Sequence, residues 1–183
     1  MVITSLEPLR IYIYQEGLAR FASEPYTSAN GKNKVDKDNM YVHLTNYSIN
    51  KRNGNFVQNE CIEADDHGYK WSLSAFCRHL ESVGIDMDLF WSRIYDVIIK
   101  SIISGEADIM AATKGACLHK GNCFELFGYD ILIDSDLKPW LLEINLSPSL
   151  ACESPLDTTI KSNLIADTLN LVGVRRFDRK IES

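Results

Sequence analysis

Asp130, Glu143 and Asn145 are the residues whose types and spacing best suit chemistry. They lie in two apolar runs, Phe124-Glu-Leu-Phe-Gly-Tyr-Asp-Ile-Leu-Ile-Asp134 and Pro139-Trp-Leu-Leu-Glu-Ile-Asn145, which flank the polar stretch Ser-Asp-Leu-Lys. Apolar runs around a polar turn predict a β-hairpin. With Asp136 and Leu137 as the central turn residues, Asp130 falls opposite Glu143 and Gly128 opposite Asn145, all on one face. Directly opposed carboxylates repel, and apolar surroundings would raise the cost. A hard divalent cation offsets it, since Asp, Glu and Asn all offer oxygen; magnesium takes one or two carboxylates and fills its shell with phosphate and water. Gly128 would leave room for that phosphate or water. Spacing leaves a solvated face open as well, and an aspartyl dyad would give Asn145 no task.

The elements that must position these groups can be read outward from the hairpin. Residues 9–14 read as a strand, Gln15-Glu16-Gly17 as a tight turn, and Leu18 to Ala22 as the returning strand. Glu24 to Asn39 and Asn50 to Tyr69 read as polar loops around a short strand at Tyr41 to Leu44. Ser72 caps a helix with Leu73, Phe76, Cys77 and Leu80 inward and Gly84 as its stop. A second helix starts near Asp86, with Met87, Phe90, Trp91, Ile94, Val97, Ile98, Ser101 and Ile102 as its core stripe. Ser154-Pro-Leu-Asp157 starts a last helix, with Leu156, Ile160, Leu164 and Ile165 inward and Gly173 at its end. A charged tail follows Val174.

Bulk properties narrow the class. The chain has 183 residues, enough for one globular domain with a core. Its 25 acids against 19 bases give a net charge of -6, which argues against a nonspecific nucleic-acid binder. The basic stretch Lys32, Lys34, Lys37, Lys51 and Arg52 is one candidate surface for an acidic substrate, and a solvated loop is the plainer reading. The five cysteines are scattered without a C-x-x-C pair, so they read as reduced thiols of a cytosolic protein. No apolar run is long enough for a membrane span. Neither a P-loop nor a dinucleotide-binding fingerprint is present.

Three long blocks carry a family resemblance. The segment from Cys123 through the hairpin to Asn145-Leu-Ser-Pro-Ser-Leu150 resembles the closing part of the tubulin tyrosine ligase-like family. Leu9-Arg-Ile-Tyr-Ile-Tyr-Gln-Glu-Gly-Leu-Ala-Arg-Phe-Ala22 and His43-Leu-Thr-Asn-Tyr-Ser-Ile-Asn-Lys51 resemble two earlier blocks in the right order. Ala151-Cys-Glu-Ser-Pro-Leu-Asp157 points to the polyglutamylase branch, nearest its fifth member.

The resemblance implies an α+β fold, the C-terminal part of an ATP-grasp fold with a mostly antiparallel sheet and flanking helices. That partial domain would cover residues 1–174, with 175–183 as tail. It implies an ATP- and magnesium-dependent ligase that activates a carboxylate on a tubulin C-terminal tail as an acyl phosphate, which free glutamate then attacks. Asp130, Glu143 and Asn145 take the magnesium-ligand roles. Arg20 matches the arginine that binds the acceptor carboxylate or phosphate, and Thr45 and Asn46 match residues near the nucleotide; His43 is given no chemical role. The implied setting is a monomer in the cytoplasm, on microtubules and in cilia or basal bodies, without nucleic-acid or membrane partners. The family's preceding half, with its phosphate-binding lysines and adenine hinge, would end just before Met1. The expectation is therefore a truncated piece with no glutamate incorporation of its own. The alternatives to the ligase reading are a truncated, catalytically inactive piece acting only in binding or regulation, or a family ligase using glycine or tyrosine as donor.

Overall fold

A computed structural model describes residues 1–26, 38–57, 65–116 and 123–173. The described elements are helices and antiparallel strands, which is the expected α+β class. The chain divides into two compact units. One holds Met1–Tyr14, Ile85–Ala151 and the chain from Lys161 onward; the other holds Gln15–Gly84 and Cys152–Ile160.

The first unit is built on a four-stranded sheet in the order β2-β1-β5-β6, from β1 (Val2–Leu6), β2 (Leu9–Tyr12), β5 (Glu125–Ile133) and β6 (Pro139–Leu146). Every neighbouring pair is antiparallel. The helix α4 (Met87–Ala116) carries Phe90, Ile94, Ile98 and Ile102 at three- and four-residue spacing, and all four are buried. That is the stripe expected of a helix packed on a sheet. Val2 and Ile3 of β1 are buried too. Tyr129 of β5 meets α4 directly, its hydroxyl 2.8 Å from the Ser101 hydroxyl. Alternation then puts Asp130 on the sheet face turned away from α4.

The second unit has a two-stranded sheet of β3 (Leu18–Arg20) and β4 (Lys70–Ser72). Ser72 caps α3 (Leu73–Ser82) as expected, its hydroxyl accepting from the Ala75 amide at 2.9 Å. Gly84 follows with φ +84°, the left-handed conformation that lets a helix stop. Phe21, Trp71 and Phe76 meet edge-on, with centroids 5.0 and 6.1 Å apart, a favoured aromatic geometry. The last helix, α5 (Pro155–Val172), starts where Ser154 and Pro155 predict. Its Leu156 and Ile160 are buried, and Gly173 ends it at φ +71°.

Two local expectations are corrected. The strand at 9–14 and the strand after it are not a hairpin: β2 pairs with β1, and β3 pairs with β4. The intervening turn serves α3 instead. Glu16 accepts from the amide and hydroxyl of Ser74, and the Gly17 carbonyl accepts from the Leu73 amide. Tyr41 to Leu44 is not a strand, because Met40–His43 is a helical turn, α1. Asn39 caps it by accepting from the Tyr41 amide at 3.0 Å, and a local cap of that kind outweighs the strand preference of Tyr and Val. A second such turn, α2 (Tyr47–Asn50), precedes the expected polar loop. Parts of both predicted loops, Lys32, Lys34, Lys37, Cys61, Cys117 and the charged tail lie outside the described residues.

Asp157 carries a double duty in the second unit. Its carboxylate accepts from the Glu153 amide at 2.9 Å, and Lys70 Nζ lies 2.9 and 2.7 Å from its two oxygens. The side chains of Lys70 and Asp157 are only 12% and 3% exposed. Removing one partner of a buried pair strands the other charge in a poor solvent, at a cost of about 3 kcal/mol or more. Asp157→Ala is therefore expected to lower stability by about that amount, read as an earlier urea midpoint in tryptophan fluorescence. An unchanged midpoint would mean that the pair contributes nothing.

Candidate metal centre

The hairpin brings together the three residues that its pattern singled out. Asp130 pairs with Glu143 and Gly128 with Asn145. The amide nitrogen of Asn145 donates to Asp130 Oδ2 and to Glu143 Oε1, each at 3.1 Å. The three head groups thus converge on one point. Every oxygen they offer is hard, and a half-turn of the Asn145 amide exchanges its nitrogen for a third oxygen. That donor set fits a magnesium-sized ion. Glu143 is exposed, while Asp130 and Asn145 are half-buried. The face is therefore open, in contrast to the apolar surroundings considered from the sequence.

The expected register is reached by a different route. Ile133 pairs with Pro139, so the loop is Asp134 to Lys138 and Leu137 takes φ +56°. Continued regularly, that loop would set Asp130 against Leu142. A register shift between Asp130 and Ile131 inserts Leu142 as an extra residue and moves Glu143 into its place. A β-bulge does this by letting two residues of one strand oppose one of the other.

Side chains hold the loop in that shape. Asp134 Oδ1 accepts from the amides of Asp136 and Lys138 at 3.0 and 2.9 Å, and Oδ2 accepts from Trp140 Nε1 at 2.8 Å. Arg93 of α4 donates to the carbonyls of Asp136 and Leu137, both at 3.1 Å. The Trp140 bond, then the Lys138 amide, hold the Asp134 carboxyl below its ordinary value of 3.8. A carboxyl lowered by folding stabilises above its unfolded pKa, and that support is lost as pH falls through the lowered value. Carboxyl NMR titration should place the Asp134 midpoint below 3.8, and Trp140→Phe should raise it. A midpoint indifferent to Trp140→Phe would remove that bond from the account.

A second correction concerns Gly128, whose surroundings are not open to a phosphate. A Cβ built there would lie 2.7 Å from Cβ of Pro148. The chain beyond Asn145 turns back through Ser147, at φ +53°, and sets Pro148 against β5.

The other sequence candidates lie in the second unit. Arg20 ends β3, is exposed and pairs across the ladder with Lys70. Thr45 is half-buried, and exposed Asn46 precedes α2 without a side-chain capping bond. Both sit in a stretch organised by a residue that the sequence reading passed over as loop. Asn50 is fully buried. Its oxygen accepts from the Ser23 amide and hydroxyl at 3.2 and 2.6 Å, and its nitrogen donates to the carbonyls of Leu44 and Asn46 at 2.6 and 3.1 Å. The carbonyls flanking Thr45 are thereby fixed. The only signal in the sequence is the Asn46–Asn50 spacing of four. Asn50→Ala would strand several buried polar groups, at about 1–3 kcal/mol for each that water does not reach. Its thermal midpoint should fall by several degrees, whereas a wild-type midpoint would contradict the hub.

Comparison with known proteins agrees with the blocks seen in the sequence. Residues 1–182 match the tubulin-tyrosine ligase family. Tubulin polyglutamylase ttll-5 of Caenorhabditis elegans is 50% identical over 182 residues, 99% of this chain and 24% of that protein. Tubulin polyglutamylase TTLL5 of Homo sapiens is 49% identical over 173 residues, 94% of this chain and 13% of that protein. Tubulin monoglutamylase TTLL4 of Homo sapiens is 44% identical over 171 residues, 93% of this chain and 14% of that protein. The chain spans about a quarter or less of the length of these relatives. With one family matched from end to end of the hairpin and far beyond it, the chain belongs to the tubulin-tyrosine ligase family.

Proposed function

We propose that this chain supplies the cation-binding hairpin of an ATP-dependent ligase that adds glutamate to glutamate side chains of tubulin tails. The observation that carries the reading is the convergence of Asp130, Glu143 and Asn145, with the Asn145 amide 3.1 Å from each carboxylate. The 50% identity to a protein named as a tubulin polyglutamylase supports a tubulin substrate. Residues 1–174 are then part of an ATP-grasp fold, followed by the tail 175–183.

Within this reading the three hairpin residues hold magnesium. An ion held there would shield phosphate charge during phosphoryl transfer from ATP to the acceptor carboxylate. Asp130 and Glu143 contribute the negative oxygens that a divalent ion needs, and the Asn145 amide completes the face without further charge. Arg20, planar and permanently charged, suits a bidentate grip on the acceptor carboxylate or its phosphate. Its ladder partner Lys70 adds a second positive charge on the same strand pair, although Asp157 engages that lysine. Thr45 and Asn46, held by Asn50, line the nucleotide. Free glutamate is the donor, and microtubules, including those of cilia, are the place of action.

The test is a chimera in which this chain replaces the matched quarter of the Caenorhabditis elegans relative. It should incorporate labelled glutamate into tubulin when ATP and magnesium are supplied. Asp130→Ala or Glu143→Ala should lower that incorporation by about 100-fold or more, as expected when charged oxygens that position the metal are removed. Preferential incorporation of glycine or tyrosine would overturn the donor assignment. Incorporation insensitive to both substitutions would overturn the metal assignment.

A further inference from the structure

We infer that Gly128 and Pro148 are positioning residues for the cation site, holding Asn145 against the two carboxylates. The inference rests on the proposed metal-ligand role of Asn145 and adds how that role is enforced. Glycine inside a strand weakens it and marks a place where another piece of backbone comes close. Here the piece is the segment after β6. A Cβ at Gly128 would meet Pro148 Cβ at 2.7 Å, Pro148 Cγ at 3.4 Å and Asn145 Cβ at 3.6 Å.

The first of these contacts cannot be relieved by a rotamer change. Pro148 Cβ belongs to a ring fused to the backbone, so the ring moves only with its chain. Two residues separate it from Asn145, one of them Ser147 at φ +53°. A non-glycine residue in that left-handed region is strained, and it persists where surrounding packing fixes it. The packing here is Pro148 seated on Gly128. Displacing Pro148 therefore pulls on Asn145, which stands opposite Gly128 in the ladder and bonds both carboxylates.

A double-mutant cycle on the 183-residue protein tests this, with Mn2+ alone as probe and free Mn2+ read by electron paramagnetic resonance. The wild type should bind Mn2+ at a site that Asp130→Asn removes. Gly128→Ala should weaken binding about tenfold, the scale seen when residues orienting a metal ligand are altered. In an Asn145→Ala background it should change affinity by less than about twofold, because residues acting through one another are not additive. Pro148→Gly, which removes the ring without adding a clash, should behave the same way and covers the case in which Gly128→Ala does not fold. Circular dichroism and the thermal midpoint separate lost positioning from lost structure. A site lost in Asp130→Asn but unchanged in folded Gly128→Ala or Pro148→Gly overturns the positioning role and leaves the metal reading standing. Equal losses with and without Asn145 overturn it too. No Asp130-dependent site in the wild type overturns the metal reading and this inference together.

Discussion

Because the loop Asp134 to Lys138 sets the ladder one residue out of step, everything at the site depends on the bulge that absorbs the difference. Side chains alternate along a strand, so a slip of one residue moves every group beyond it to the opposite face. Without the extra residue at Leu142, Glu143 would face Tyr129 and the side of the sheet that α4 covers. With it, Glu143 and Asn145 join Asp130 on the open side. Arg93, Asp134 and Trp140 hold the loop, the bulge corrects its phase, and the seat of Pro148 on Gly128 fixes the far end. The site is as well defined as those three devices together.

The second unit handles buried polarity by another rule. Asn50 satisfies its full amide with four partners, and Lys70 and Asp157 satisfy each other. Both arrangements put polar groups where water is scarce, and both are tolerable because the partners are complete. Asn50 does so where helical turns of four residues, α1 and α2, have little apolar surface to offer. Hydrogen bonding substitutes for burial there.

The parts legible in the sequence were those determined locally. Ser72, Gly84 and the Ser154–Asp157 cap act within a few residues, and the α4 stripe repeats at helical spacing. The hairpin pairing of Asp130 with Glu143 was also anticipated, through a loop assignment that the structure revises. The bulge leaves no local mark, because Leu142 resembles its neighbours. The partner of β3 is β4, about fifty residues further on in the numbering, and no nearby residue announces it. Gly128 reads as empty space until Pro148, twenty positions later, is found against it. Tyr41 to Leu44 went to helix because a single asparagine cap settles so short a segment.

β6 ends its sheet, so among the described residues no strand pairs along its outer side. It also exposes Leu142 and Leu146 at 64% and 66%. Long flat apolar edges of this kind recruit strands from other molecules and lead to aggregation. An irregular edge is a poor template, since an incoming strand finds the hydrogen-bonding rhythm broken midway. The residue inserted at Leu142 breaks it in the middle of β6. A change that restored regular pairing there would turn Glu143 and Asn145 to the wrong face and leave a smooth apolar border exposed to neighbouring chains. Solubility and chemistry would fail together.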